Sequence, residues 1–206
     1  MNIALLGATG RVGQLLLDLM LQDEHNVTVL VRNPQKLEMK HPNLTIVQGN
    51  VLKQEDLNQT IQGQDVVVST LNTDGSATIS ESMPLLITSM KKYHVKRIIT
   101  IGTAGILQSR VEPTLYRFQS SESKRRSTRA AEDHLKGYLS LKESSLDWTI
   151  VCPTYLPDGK ITGRYRVEEN MLPANAVKIS TGDTAHFTYR ELRSANFSYC
   201  RIGLGY

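Results

Sequence analysis

Hydrophobic residues fall along this chain in two alternating rhythms. Short, almost unbroken apolar runs occupy Asn2 to Leu6, Val27 to Val31, Leu44 to Val47, Asp65 to Ser69, Lys96 to Ile101 and Asp147 to Cys152. Runs of that length with little polar alternation predict strands covered on both faces, as in a parallel sheet. Between them, Val12 to Gln22, Gln54 to Ile61, Glu81 to Tyr93 and Ser127 to Ser144 repeat apolar residues at helical spacing. Turn-forming residues separate the two kinds of segment: Gly7 to Gly10, Gly63, Asn72 to Ser76, and Arg32-Asn33-Pro34, where proline stops further pairing. Strand and helix alternating in this way predict an α/β fold, a doubly wound parallel sheet with helices on both faces.

Beyond Cys152 the rhythm changes. Ile161 to Val167 and Ala176 to Ile179 read as short strands, and Thr181-Gly182-Asp183 opens a final helix through Leu192. Residues 105 to 124 lack periodicity and read as a surface loop. No internal repeat, low-complexity tract or linker is visible, and 206 residues fit one domain. The tail, from about 154 to 206, is therefore expected to pack on the main sheet as a small cap over the site.

Composition narrows the class. With 40% hydrophobic and 21% charged residues the chain reads as an ordinary water-soluble globule, long enough to bury a core without a disulfide or a metal. Cys152 and Cys200 stand far apart without ligand-spaced partners, so both are expected to be reduced thiols in a cytoplasmic protein, and no metal site is expected. The apolar first six residues lead straight into glycines, which suits a buried strand and not a secretory segment. Leu15 to Leu21 is broken by Asp18 and too short to cross a bilayer, so no membrane association is expected. Of the net charge of +4, much sits in Lys124, Arg125, Arg126 and Arg129. Such a run is usually a solvated helix start; the other reading is anion binding. Nucleic acid is not expected, because no aromatic-interleaved patch or recognition helix accompanies the charge.

The sharpest chemical signal is Gly7-Ala8-Thr9-Gly10-Arg11-Val12-Gly13, three glycines at GxxGxxG spacing between the first strand and the first helix. The first glycine permits the tight turn, the second lets backbone approach a pyrophosphate, and the third lets the helix lie close on the sheet. Free N–H groups at the helix start, together with the helix dipole, then hold the anion. A second strand about 20 residues on completes the dinucleotide-binding (Rossmann) context. Arg32 ends that strand, 19 residues after Gly13, where NAD enzymes usually place Asp or Glu. A guanidinium grips a 2′-phosphate that a carboxylate would repel, which points to NADP (NADPH). The plainer reading of Arg32 is a solvated charge closing a strand. Arg11 is a candidate to share the phosphate or to stack on adenine.

These residues resemble the short-chain dehydrogenase/reductase superfamily, specifically its atypical members with a GATGxxG loop. The likeness is strongest to the biliverdin reductase B / NADPH-flavin reductase group and the NmrA-like proteins. It covers about 190 residues. It continues through Val29 to Pro34, Gly49-Asn50-Val51, Ile98 to Gly105, Ser145 to Pro153 and Ile179 to Phe187, and the stretch Leu156 to Tyr165 is especially similar to the flavin reductases. The resemblance implies that Asn50 and Val51 flank the adenine and that Thr70 and Leu71 line the path to the nicotinamide ribose. Gly102 and Thr103 are then near the nicotinamide, with Pro153, Thr154 and Tyr155 covering its carboxamide. Many relatives carry Asp where this chain has Asn50, whose amide oxygen can still accept from the adenine amino group.

The wider superfamily uses a Tyr-x-x-x-Lys pair in which lysine lowers the tyrosine pKa for proton transfer. Tyr138 and Lys142 match that spacing but lie two to three turns too late; the resemblance places the pair where this chain reads Lys124 to Arg129, with no tyrosine. They read as a chance spacing on a helix surface. A chain without that acid suits hydride transfer to a planar acceptor, flavin or quinone, stacked on the nicotinamide, with the cofactor supplying the chemistry. Thr103, His134 and Tyr155 are the polar candidates nearest the acceptor; their plain alternatives are a strand end, an exposed helix residue and a pocket wall. A monomer or weak homodimer is expected. The competing function is a non-catalytic NADP sensor of NmrA type, although such sensors generally have longer C-terminal parts. A sugar-nucleotide epimerase is disfavoured, since it would need the tyrosine and a larger substrate lobe.

Overall fold

A computed structural model describes residues 1–37, 39–73, 75–123 and 126–206. Eight strands form one sheet: β1 (Asn2–Leu6), β2 (Asn26–Val31), β3 (Leu44–Gln48), β4 (Val66–Ser69), β5 (Arg97–Ile101), β6 (Asp147–Pro153), β7 (Arg166–Glu169) and β8 (Cys200–Gly205). Their order is β3-β2-β1-β4-β5-β6-β8-β7, parallel throughout except where β7 runs against β8. Helices α1 (Arg11–Gln22), α2 (Gln54–Ile61), α3 (Thr78–Lys92), α4 (Arg129–Glu143) and α5 (Thr181–Ser194) cover the two faces.

The pleat sorts side chains between two cores. Ile3, Leu5, Val27 and Val29 point to the side covered by α1 and α5, with Leu16, Leu17, Met20 and Phe187. Ala4, Leu6, Val67 and Ile98 point to the other side, with Leu57 of α2, Met83 and Leu86 of α3, and Tyr138 and Leu141 of α4. Both faces of β1 and β4 are therefore buried, which is why these strands read as unbroken apolar runs. The sheet grows through β2 and β3 on one side of β1 and through β4, β5 and β6 on the other. The order in which strands are added reverses between β1 and β4, and the crevice beyond their carboxyl ends is where such folds bind ligands.

Boundaries up to β6 follow the hydrophobic pattern closely, with one instructive exception. Helix α3 starts at Thr78, three residues before Glu81, because buried Asp133 of α4 accepts from the Ile79 and Ser80 amides at 3.1 and 2.9 Å. A carboxylate from another helix supplies the cap that Ala77 cannot. Residues 105–124 are not simply a surface loop. They include single turns at Ala104–Ile106 and Arg117–Gln119, and Ile106, Leu107 and Phe118 are buried. Glu122 fastens Ser109 and the Arg110 amide, and Glu112 fastens Ser121. Lys124 and Arg125, half of the basic run, lie outside the described residues; Arg126 and Arg129 are exposed.

The tail differs most from expectation. Ile161 to Tyr165 is not a strand, because Asp183 takes the Thr162 and Gly163 amides that a ladder would need. Near Ala176 to Ile179 only a single bridge forms, between Tyr155 and Lys178. Cys200–Gly205, unrecognised in the sequence, is a fully buried strand between β6 and β7. The tail thus supplies an interior strand and, through α5 packed on α1, part of a main core. It is more than a cap.

Candidate functional site

The glycine loop has the geometry its spacing predicts. Gly7 follows β1 with φ +82°, and a Cβ there would lie 2.8 Å from the Thr70 carbonyl carbon. The Gly10 amide donates to the Gly7 carbonyl at 3.0 Å, closing the turn. A Cβ on Gly13 would stand 2.1 Å from that same carbonyl oxygen, so only glycine lets α1 come this close to β1. The first α-helical bond of α1 is Gln14 N–H to the Gly10 carbonyl. The amides of Arg11, Val12 and Gly13 precede it and lack carbonyls below them in the helix. Gly10 makes no side-chain cap, and the first turn holds no acid. That leaves the positive end of α1 available to an anion.

A cleft of about 590 Å³ opens over this loop at the carboxyl ends of the strands. Its walls follow the sheet order: Gly49 to Leu52 after β3, Arg32 and Lys36 after β2, Gly7 and Thr9 to Val12 after β1, Thr70 to Asn72 after β4, and Gly102 after β5. From β3 to β5 is four inter-strand spacings, roughly 19 Å. Leu156 and His134 close the remaining sides. Among the described residues lining it are Arg11, Arg32 and Lys36 but no Asp or Glu. Such a cleft concentrates anions.

Most of the cofactor residues expected from the sequence are brought together here: Gly7, Thr9, Gly10, Arg11, Val12, Arg32, Asn50, Val51, Thr70, Leu71 and Gly102 all line the cleft. Ala8 and Gly13 are buried beneath the loop and shape it from behind. Several of these side chains also hold their own loops. The Thr70 hydroxyl donates to the Leu6 and Gly7 carbonyls at 3.0 and 2.9 Å, so it holds the turn as well as lining the path. The Asn50 side-chain oxygen, expected to be open to an adenine amino group, accepts the Leu52 amide at 3.0 Å. The Asn50 amide in turn donates to Asp56 at 2.7 Å, which fixes the loop. Arg11 lines the cleft with Arg32 and is also engaged by its own chain. Its Nη1 donates across the cleft mouth to the Leu156 carbonyl at 3.0 Å and to Asp158 at 2.9 Å.

Of the three proton-transfer candidates, only His134 lines the cleft. It projects from α4 one residue after Asp133, whose bonds to α3 set the register of that helix. Thr103 caps the turn after β5 by accepting the Gly105 amide at 3.3 Å, and it is not part of the lining. Pro153 is buried at the end of β6, and Thr154 bonds to the Leu204 and Val177 carbonyls. Tyr155 is 70% exposed and, like Pro153 and Thr154, stands outside the lining. Below Gly102, burial pushes the Cys152 thiol up to about 12, which removes it as a nucleophile.

Tyr138 is not on a helix surface. It is buried against Trp148, with the Arg201 guanidinium 4.6 Å from its ring centre, whereas Lys142 is exposed. The ring is a core element, and the match to Tyr-x-x-x-Lys is coincidental in position. Sequence reasoning missed Lys36. Asn33 accepts the Gln35 amide and opens a single turn, Pro34–Lys36, that brings Lys36 into the same lining as Arg32. The Asn-Pro pair was the available signal.

Among the described residues no helix is long and apolar enough to cross a membrane. A curated relative, an uncharacterised protein named YwnB from Bacillus subtilis, is 27% identical over 184 residues, covering 85% of this chain and 83% of its own length. A crystal structure from Bacteroides thetaiotaomicron, provisionally named an epimerase, matches with TM-score 0.87 at 28% identity, covering 100% of this chain and 96% of the other. A Streptococcus pneumoniae protein, provisionally named an NADH-flavin reductase, shares the fold with TM-score 0.82 at 22% identity over 100% and 99% of the two chains. The family model for NAD(P)H-binding proteins matches residues 7–195, from the first glycine of the loop to the end of α5. This chain belongs to that NAD(P)H-binding family.

Proposed function

We propose that the protein is an NADPH-dependent oxidoreductase that passes hydride to a planar acceptor such as a flavin or quinone. The observation that carries this reading is the cleft at the strand-order reversal, whose described lining residues include three cations and no carboxylate, over a glycine turn where a Cβ on Gly7 or Gly13 would collide with neighbouring backbone. The loop amides of Arg11 to Gly13 would hold the diphosphate. Arg32 and Lys36, on the β2 side, would hold a ribose phosphate; an NAD site would place an acid there. Gly49 to Leu52 form the wall beside them, suited to the adenine.

The bound nicotinamide supplies the hydride. The chain's own part is to orient two rings and exclude water around them. Gly102 lets the floor of the cleft pack closely on the core, since a Cβ there would strike buried Ile150 at 2.7 Å. Leu156 closes one wall, and His134 stands at the rim as the polar group able to pass a proton to the reduced acceptor. Tyr138 is sealed in the core and no tyrosine is among the described residues lining the cleft, so an acceptor able to take its proton from water or His134 fits better. The Streptococcus protein's name points the same way, though it names NADH.

The test is oxidation of NADPH and NADH, followed by loss of reduced-nicotinamide absorbance, with FMN, riboflavin and a set of small quinones. Turnover that falls about tenfold or more in His134→Ala supports the reading. Arg32→Ala and Lys36→Ala should each weaken NADPH by roughly 10- to 100-fold and leave NADH nearly unchanged. Equal losses for both coenzymes would overturn the assignment of NADP. Tight NADP binding without turnover for any acceptor would instead leave a cofactor-sensing protein.

A further inference from the structure

Among the described residues, Arg11 reaches across the cleft mouth and ties the glycine loop to the segment 156–163. This segment is anchored from the opposite side by α5. Asp183 accepts from the Thr162 amide and hydroxyl and from the Gly163 amide, the Thr181 hydroxyl accepts the Gly159 amide, and Ser180 donates to the Lys160 carbonyl. A Cβ on Gly182 would lie 2.5 Å from the Lys160 carbonyl carbon, so segment and helix are in close contact. Asp158 is thus carried on a fixed support. The mobile partner is the long Arg11 side chain.

Both members of the bridge face water: the Arg11 side chain is 58% exposed and Asp158 75%. Exposed ion pairs are weak and exchange readily. Arg11 also lines the cleft beside Gly10 and Val12, where the amide-lined helix start awaits an anion. A diphosphate there offers the guanidinium two charges in place of one, and bidentate geometry.

Resting on the NADPH reading above, we propose that Arg11 is a shared cation, held by Asp158 in the free protein and transferred to the dinucleotide diphosphate on binding. Asp158 then acts as a built-in competitor. It keeps the guanidinium extended over the cleft mouth, takes it back as the cofactor leaves, and so speeds release. Asp158 is a positioning residue in this scheme; it touches no reacting atom.

The test is stopped-flow binding and displacement of NADPH, read by nicotinamide fluorescence, on the wild type, Asp158→Asn, Arg11→Met and the double variant, with thermal melting as a control. Asp158→Asn should bind NADPH about two- to fivefold more tightly, through slower release, at an unchanged melting temperature. Arg11→Met should weaken binding roughly 10- to 100-fold, and adding Asp158→Asn to it should change nothing further. Asp158→Ser, which cannot mimic the carboxylate, carries the same expectation as the asparagine variant. Looser or unaltered binding in the Asp158 variants, or additive effects in the double variant, would overturn the shared-cation scheme while leaving the cofactor assignment standing. A wild type that binds neither NADPH nor NADH would remove both.

Discussion

Asp183 offers the most quantitative test of how the tail supports the cleft. The carboxylate is fully buried at the start of α5. Burial by itself would raise its pKa, but hydrogen bonds outweigh it. The Tyr206 hydroxyl donates at 2.6 Å, the Thr162 hydroxyl and amide at 2.7 Å each, and the Gly163 amide at 2.9 Å, so the group is held at about 2 against an ordinary 3.8. A depressed folded-state pKa means stability that is fully present above the unfolded value and lost as pH falls toward the folded one. The shift corresponds to roughly 2.5 kcal/mol at neutral pH, and about half of it should be gone near pH 3. Asp183→Asn removes this ionisation and turns an amide N–H₂ toward groups that themselves donate. Urea unfolding at pH 7 should show it destabilised by about 2.5 kcal/mol or more, with the gap to wild type narrowing by about 1 kcal/mol near pH 3. A gap that does not change with pH, or none at all, would refute the claim that an ionised Asp183 ties down the 156–163 segment.

Three other substitutions probe the frame around the site. Gly13→Ala, placing a Cβ 2.1 Å from the Gly7 carbonyl oxygen, should cost about 1–3 kcal/mol and weaken coenzyme binding in calorimetry; full affinity would contradict the close-approach argument. Tyr138→Phe and Lys142→Ala should each alter turnover by less than about twofold, since one ring is buried core and the other side chain is exposed, and a fall of tenfold or more would restore them as a catalytic pair. Arg97 binds Asp147 at 3.1 Å and buried Glu191 at 2.8 Å. Arg97→Met should destabilise by about 3–5 kcal/mol by stranding the Glu191 charge, with partial recovery in the double variant carrying Glu191→Gln; denaturant titration of both distinguishes this from a simple packing loss.

The half of the molecule built from buried parallel strands was legible because its physics is written locally. β1 and β4 need apolar cover on both faces, Leu5 pointing to one and Val67 to the other, and that demand shows as an unbroken run. The glycine loop was legible for the same reason, each glycine answering to a contact within a few residues or the next strand. β8 was not. Arg201 reads as a surface charge, yet it is buried beside Asn170 and over the rings of Tyr116 and Tyr138. Gly203 and Gly205 read as turns, yet they make room for residues 171 to 176, with a Cβ on Gly203 falling 1.9 Å from the Met171 carbonyl oxygen. Likewise, Arg11 and Thr103 sit at positions their motifs specify, but their partners, Asp158 and the Gly105 amide, depend on loop conformation that no periodicity encodes. Lys36 was recoverable from its Asn-Pro turn; the Asp133 cap on α3 required knowing that two helices are neighbours.

The position of β8 inside the sheet also imposes an order of assembly. β7 is made earlier on the ribosome, yet its sole neighbour in the sheet is β8. The edge strand must therefore wait, unpaired, until residues 200–205 are available to pair with it. Any nick, frameshift or bulky fusion that blocks this last insertion would leave β6 as a bare, sticky margin, and the damage would reach the protein as aggregation long before it could be measured as altered chemistry.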